Sequence, residues 1–342
     1  VRTLTSLYVL LAPLAVLTVT PNLVAVVGAV CLGRIAAWIA HVFICFYSIP
    51  ELRGGLAFRG STVRPLLGYG GWMTAVNVIN PLMVQMDRFL IGGMVSAAAV
   101  AYYTTPQELI TRAWFLSNSV LGVMFPAFAT SYVLNRDRTA EIFGRCLAHV
   151  GLILFPITLI AVALSGEILT TWLGPDFARE GARVLQWLAL GVFLNGLAQV
   201  PSALIQGIGR PDLTFKIHMA ELPPYLMVAF PLIRIWGIEG AAIAWTARTA
   251  VDLGLYVAVT RALLPEGSQA LRELGAGLTA ALIALAVVAL PLGMTYRVST
   301  LALICVGFGV VAWSRLLGAE ERSAIVGRLP GFFRGPVPRR GL

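Results

Sequence analysis

Apolar residues run through this chain in long blocks, and polar residues fall mostly in the short stretches between them. A helix crossing the hydrocarbon core of a bilayer needs about 20 mostly apolar residues. On that measure the chain divides into roughly ten spans. The first six are Leu4–Val19, Leu23–Tyr47, Leu67–Met94, Pro106–Tyr132, Phe143–Leu164 and Ala182–Ile208. The last four are Leu213–Ile235, Ile238–Leu263, Leu271–Leu290 and Val298–Leu316. Strict alternation is absent, and the blocks are too long for barrel strands. The expected fold class is all-α, a polytopic membrane helix bundle of about ten transmembrane helices.

The first block, "VRTLTSLYVLLAPLAVLTVTP", shares Arg2 and an apolar centre with signal peptides. It lacks a small-x-small cleavage site and runs straight into another apolar block, so it reads as a first span. The sequence opens on Val1, as expected of an alternative start codon or of a missing upstream segment.

Composition agrees with a membrane assignment. Hydrophobic residues make up 58% and charged residues 12% of the chain, against about 45–50% and 25% in soluble proteins. The net charge of +9 does not point to nucleic acid, because the basic residues sit in small groups between apolar blocks. That is the pattern of cytoplasmic loops facing anionic lipid. Arginine carries nearly all of the positive charge, Lys216 being the only lysine.

Arg53, Arg59 and Arg64 follow the second block, and Arg136, Arg138 and Arg145 follow the fourth. Arg210 and Lys216 come next, then Arg261 and Arg272, then Arg315, Arg322, Arg328, Arg334, Arg339 and Arg340. Between these groups lie the uncharged "SAAAVAYYTT", the acidic-leaning "SGEILTTWLGPDFAREG" and the near-neutral "WGIEG". The alternation places both termini in the cytoplasm. The tail after residue 318 is expected to be disordered and to rest on lipid headgroups. Cys31, Cys45, Cys146 and Cys305 lie in apolar blocks, with spacing that suits neither zinc nor a disulfide framework.

Ionisable residues inside spans are costly and therefore mark function first. Arg34 lies near the middle of the second span and has no local partner. Asp87 and Arg88 are adjacent in the third span, about 100° apart around a helix, so they cannot point the same way: one must reach a partner on another helix, or both must meet water. Glu108 and Arg112, and Arg248 and Asp252, are four apart and can self-pair on one face; His218 and Glu221 are three apart. Two roles fit the self-paired groups and Asp87: a transport site, or a lock between helices. Arg183, Arg234 and Arg297 lie near span ends, where long side chains reach the headgroups. Pro223 and Pro224 in "MAELPPYLM" predict a kinked or broken helix, and "GIEGAAIAW" predicts close helix packing.

The stretches "GYGGWMTAVNVINPLMVQMDRFLIG", "VAYYTTPQELITRAW" and "GVMFPAFA" resemble the oligosaccharide flippases of the polysaccharide-transporter family. These are O-antigen-type translocases within the larger MATE-like exporter superfamily. The likeness continues through "WLGPDFAREGARVLQWLALGVFLNGLAQVPSALIQGIGRPDLTFKIHMAELPPYL" and "GIEGAAIAWTARTAVD", covering Leu67 to about Arg261. It implies a MATE-like exporter architecture of two six-helix bundles around a cavity, with two extra C-terminal helices in some members. On that template residues 1–64 are a two-span remnant of an incomplete first bundle, short of about four helices. Residues 65–264 form the second bundle, 265–318 the two C-terminal spans and 319–342 the cytoplasmic tail.

The resemblance implies a bacterial inner-membrane flippase for a polyprenyl-pyrophosphate-linked oligosaccharide, working by alternating access. Arginine suits the pyrophosphate through its planar fork. Arg34, Arg88, Arg248 and Arg112 are the candidate substrate-binding residues, and Glu108, Glu221, Asp252 and Asp87 the candidate ion-coupling residues. Implied partners are the lipid-linked oligosaccharide, membrane lipids, a coupling proton or sodium ion and the polysaccharide polymerase machinery. Neither a cofactor nor a metal is expected, and no nucleic acid. A lipid II flippase and a multidrug exporter of the same superfamily remain alternatives, as does a non-transporting fragment. A membrane enzyme of polysaccharide assembly would need a larger outer loop than Ser165–Gly181, and no nucleophile elbow or phosphate loop occurs.

Overall fold

A computed structural model describes residues 2–18, 22–48, 60–290 and 293–316. Arg53, Arg59 and the tail from residue 319, including Arg322, Arg328, Arg334, Arg339 and Arg340, lie outside the described residues. The described residues are almost all helical and include no strand, so the chain is an all-α polytopic membrane protein. Among the described residues six helices are long and apolar enough to cross a membrane, or seven if one bent pair counts as a span, with residues 211–263 counted once.

Two units can be distinguished, Val1–Leu66 and Leu67–Leu342. The first contains α1 (Arg2–Leu17) and α2 (Leu23–Ser48). They pack as a pair because Gly33 leaves room for the Tyr8 ring, which would lie 1.8 Å from a Cβ at that position. The Tyr8 hydroxyl then donates to the Ala29 carbonyl at 2.8 Å. With 16 residues, α1 is shorter than the usual spanning length of about 20.

The second unit begins within α3 (Gly60–Met94) and continues through α4 (Ala97–Thr111), α5 (Trp114–Leu134) and α6 (Arg136–Ala163). It is completed by α7 (Ser165–Leu173), α8 (Pro175–Gly207), α9 (Pro211–Leu263), α10 (Ser268–Val288) and α11 (Met294–Val311). Helices α4 and α5 bend by 43° at their junction, so the block read as one span from Pro106 to Tyr132 is broken at Arg112–Ala113. Asn135 caps α6 by accepting from the Arg138 amide at 2.9 Å. The stretch expected to be an outer loop, Ser165–Gly181, is instead α7 and the first turns of α8, joined at Gly174 with φ of 94°.

Helix α9 has 53 residues, a length of about 80 Å if straight and far more than a bilayer core. It is a hairpin of two spans. Gly237 adopts φ 55° and ψ −130°, a conformation that needs glycine, and it separates the two blocks read from the sequence. Beyond the turn the backbones approach closely: a Cβ on Gly240 would lie 2.0 Å from the Leu232 carbonyl oxygen. The run "GAAIAW" serves this packing, with Ala241, Ala242 and Trp245 fully buried. The helical dihedrals continue through Pro223 and Pro224, so the break expected there is found at Gly237.

Helix α8 is the most enclosed element, with Leu185, Leu188, Ala189, Val200 and Leu204 all fully buried. It packs against α4, α5, α6, α7 and α9. Trp114 donates its indole N–H to the Val192 carbonyl at 3.4 Å and meets Trp245 at 6.5 Å between ring centroids. Helix α11 joins the bundle through Phe308 on Phe155, 4.8 Å between centroids, and through Arg297, 2.8 Å from Glu167. Arg183 likewise pairs with Glu239 at 2.9 Å. Both arginines, expected to reach only headgroups, therefore also tie helices together.

Gly191 on α8 tests this packing, because a Cβ there would sit 2.3 Å from the fully buried Trp245 ring. Gly191→Ala is expected to lower unfolding stability in detergent by about 1–3 kcal/mol. Gly254→Ala, with open space around it, should be neutral or gain up to about 1 kcal/mol. Equal melting temperatures for the two variants would contradict the packing described.

Candidate functional site

A polar seam runs through the apolar second unit, built by α3, α4 and the two arms of α9. On the first arm His218, Glu221 and Tyr225 are spaced three and four apart, which puts them on one face. On the second arm Arg248, Asp252 and Tyr256 repeat a spacing of four. The turn at Gly237 folds these two stripes towards each other. All six side chains are buried.

Asp87, on α3, is fully buried. Its carboxylate accepts from the Tyr103 hydroxyl of α4 at 2.6 Å and from the Tyr225 hydroxyl of α9. One carboxylate therefore ties three helices, using both of its oxygens. Its neighbour Arg88 points elsewhere, as adjacency on a helix requires. Arg88 donates to Gln107 Oε1 at 3.2 Å and to Glu108 at 3.4 Å, both on α4, and remains partly exposed.

Arg248 lies 3.6 Å from Glu221 and stacks over the Tyr225 ring with 5.8 Å from Cζ to the centroid. At 6% exposure it is closed off from solvent. His218 Nδ1 is 3.9 Å from Glu221 and 4.0 Å from Asp252, while its Nε2 is 3.4 Å from the Tyr256 hydroxyl. Ser202 of α8 donates to that same hydroxyl at 3.3 Å.

The unpartnered buried atoms of the seam include His218 Nδ1, both oxygens of Glu221, Arg248 Nε, Asp252 Oδ1 and Gln107 Nε2. Three carboxylates, Asp87, Glu221 and Asp252, surround one enclosed guanidinium.

Of the eight residues singled out by sequence, the structure places five in the seam: Asp87, Arg88, Glu221, Arg248 and Asp252. Glu108 joins them at the edge through Arg88, rather than pairing with Arg112. Arg112 sits at the α4–α5 bend and is exposed. Arg34 is exposed on α2, in the first unit. Sequence reasoning assigned no role to Tyr103, Tyr225, Gln107 or Tyr256. The spacing of Tyr225 from Glu221 and of Tyr256 from Asp252, four residues each, was the available signal.

Residues 3–180 match the family described as "Polysaccharide biosynthesis protein". The chain belongs to that family. Among its relatives, a "Putative O-antigen transporter" of Shigella flexneri is 31% identical over 67% of this chain and 54% of its own length. The "Lipopolysaccharide biosynthesis protein WzxC" of Escherichia coli strain K12 is 27% identical over 57% of this chain and 38% of its own length. The "Probable flippase AglR" of Haloferax volcanii is 23% identical over 60% of this chain and 42% of its own length. The chain thus spans about half the length, or less, of these curated relatives. As a member of the polysaccharide biosynthesis family it carries its polar seam in the part that follows α2.

Because Arg248 is enclosed among carboxylates, Arg248→Met should lower stability by about 3–5 kcal/mol through an uncompensated buried charge. Arg183→Met, which breaks the more exposed pair with Glu239, should cost at most about 1 kcal/mol. Thermal or denaturant unfolding in detergent measures both. Equal losses would place Arg248 outside a buried network.

Proposed function

We propose that the chain acts in a flippase that moves a polyprenyl-pyrophosphate-linked oligosaccharide from the cytoplasmic to the outer face of a bacterial inner membrane. The observation that carries this reading is a charged seam inside an apolar helix bundle, in a family whose relatives bear the names of transporters and flippases. A soluble enzyme has no use for such a bundle, and a lipid-linked sugar needs a polar route beside lipid.

The cargo would divide according to its chemistry. Its pyrophosphate suits a guanidinium with free donors. Arg88, Arg112 and Arg34 keep exposed surface and are assigned this contact. Arg248, flanked by Glu221 and covered by Tyr225, is assigned the role of internal counter-charge, though it was also a candidate for the pyrophosphate. The acidic residues Asp87, Glu221 and Asp252, with Glu108 at the rim, are assigned to coupling by a proton or sodium ion. The tail would stay in the lipid beside the bundle.

Residues 65–264 are read as one six-helix bundle, with α10 and α11 as additional helices and both termini in the cytoplasm. Moving two negative charges outward down an inside-negative potential gains about 4–5 kcal/mol per 100 mV. Alternating access would supply the path.

Replacing Arg88 tests the assignment in the native host, with surface glycan as the readout and membrane protein level as the control. Arg88→Glu is expected to reduce surface glycan at least about tenfold, because it sets a carboxylate against the pyrophosphate. Arg88→Lys should retain part of the activity as a point charge. Unchanged surface glycan in Arg88→Glu would remove Arg88 from the cargo path.

A further inference from the structure

We propose that His218, Glu221 and Asp252 bind a divalent first-row transition-metal ion that clasps the two arms of α9. Each residue offers one ligand atom, and the three atoms lie within 4.8 Å of one another. The separations of His218 Nδ1 from Glu221 and Asp252, 3.9 and 4.0 Å, are too long for direct hydrogen bonds. They fit an ion in between.

Four further observations point to a ligand. His218 Nδ1 and Asp252 Oδ1 are buried without a hydrogen-bond partner, and Glu221 has only the Arg248 guanidinium 3.6 Å from Oε2, a costly arrangement unless a metal ion, or a proton shared by the two carboxylates, binds there. The opposite ring nitrogen of His218 faces the Tyr256 hydroxyl, which Ser202 also contacts. With Nε2–H donating to that oxygen, the Nδ1 lone pair is left facing the carboxylates, as in histidine ligands oriented from behind. The seam's three carboxylates outnumber its one enclosed guanidinium, so a dication can balance the two that ligate it once their protons have left. The imidazole favours a transition metal over magnesium or calcium, which take oxygen ligands.

Arg248 lies 3.6 Å from the Glu221 oxygen nearest His218. The guanidinium and the ion would therefore share the Glu221 Oε2 oxygen. With the metal bound, Glu221 and Asp252 would hold it in place of a coupling ion, leaving Asp87 and Glu108 for coupling; metal content is measured without any cargo.

The test uses the whole chain, purified in nanodiscs, stripped with chelator and reloaded with Zn²⁺. Elemental analysis should find one zinc per chain and a rise in melting temperature. His218→Gln and Asp252→Asn should weaken zinc binding at least roughly tenfold, whereas His41→Gln, on the exposed face of α2, should not. X-ray absorption of the wild-type zinc complex should show a shell of nitrogen and oxygen with one imidazole, a readout that needs no variant to fold. Absence of retained zinc, a shell with sulfur or several imidazoles, or full binding by folded His218→Gln would each overturn the proposal. So would an equal rise in melting temperature with Na⁺ or Mg²⁺ alone.

Discussion

A carboxylate with no access to water must find its hydrogen bonds inside the protein, and Asp87 sets that requirement for the second unit. Its two oxygens are taken by phenols from two other helices. Helix α3 is therefore fixed to α4 and to the first arm of α9 by one side chain. A hydrogen bond to a charged group is worth roughly 1.5–3 kcal/mol, and leaving this one unmade would cost more in a dry interior. Apolar packing cannot supply such specificity in a membrane, since lipid tails are as apolar as leucine. The polar seam gives the helices a unique register.

The hairpin at Gly237 makes the seam possible. Without it His218 and Arg248, thirty residues apart, would lie roughly 45 Å from each other along a straight helix. The positive φ at Gly237 and the close approach at Gly240 fold the arms together. Charges from one arm then meet those from the other: Arg248 reaches Glu221, and Asp252 reaches His218. The same turn exposes Glu239 to Arg183, which fastens the hairpin to α8.

Much of the helical layout is legible in the sequence, because helices in a bilayer must satisfy their own backbone and announce themselves as apolar blocks. The boundary between Ile235 and Ile238 and the divergence of Asp87 from Arg88 follow from spacing alone. The partners of the charges do not. Asp87 meets Tyr225 across 138 positions, a distance at which helix periodicity carries no information. Spacing favoured Glu108 with Arg112, but the bend at Arg112–Ala113 turns Arg112 away and Arg88 takes its place. Pro223 and Pro224 predicted a break that falls instead at Gly237, since a tandem proline with exposed rings can lie within a helix that its neighbours hold in place. The metal-ligating geometry of His218, Glu221 and Asp252 was likewise hidden, because only two of the three share an arm.

The bond between Tyr225 and Asp87 joins α9 to α3 and is the most direct measure of this account. A double-mutant cycle with Tyr225→Phe, Asp87→Asn and the pair, read by reversible unfolding in detergent, isolates it. Coupling of about 1–3 kcal/mol is predicted. Losses that simply add, to within about 0.5 kcal/mol, would show that the carboxylate does not hold the helices together.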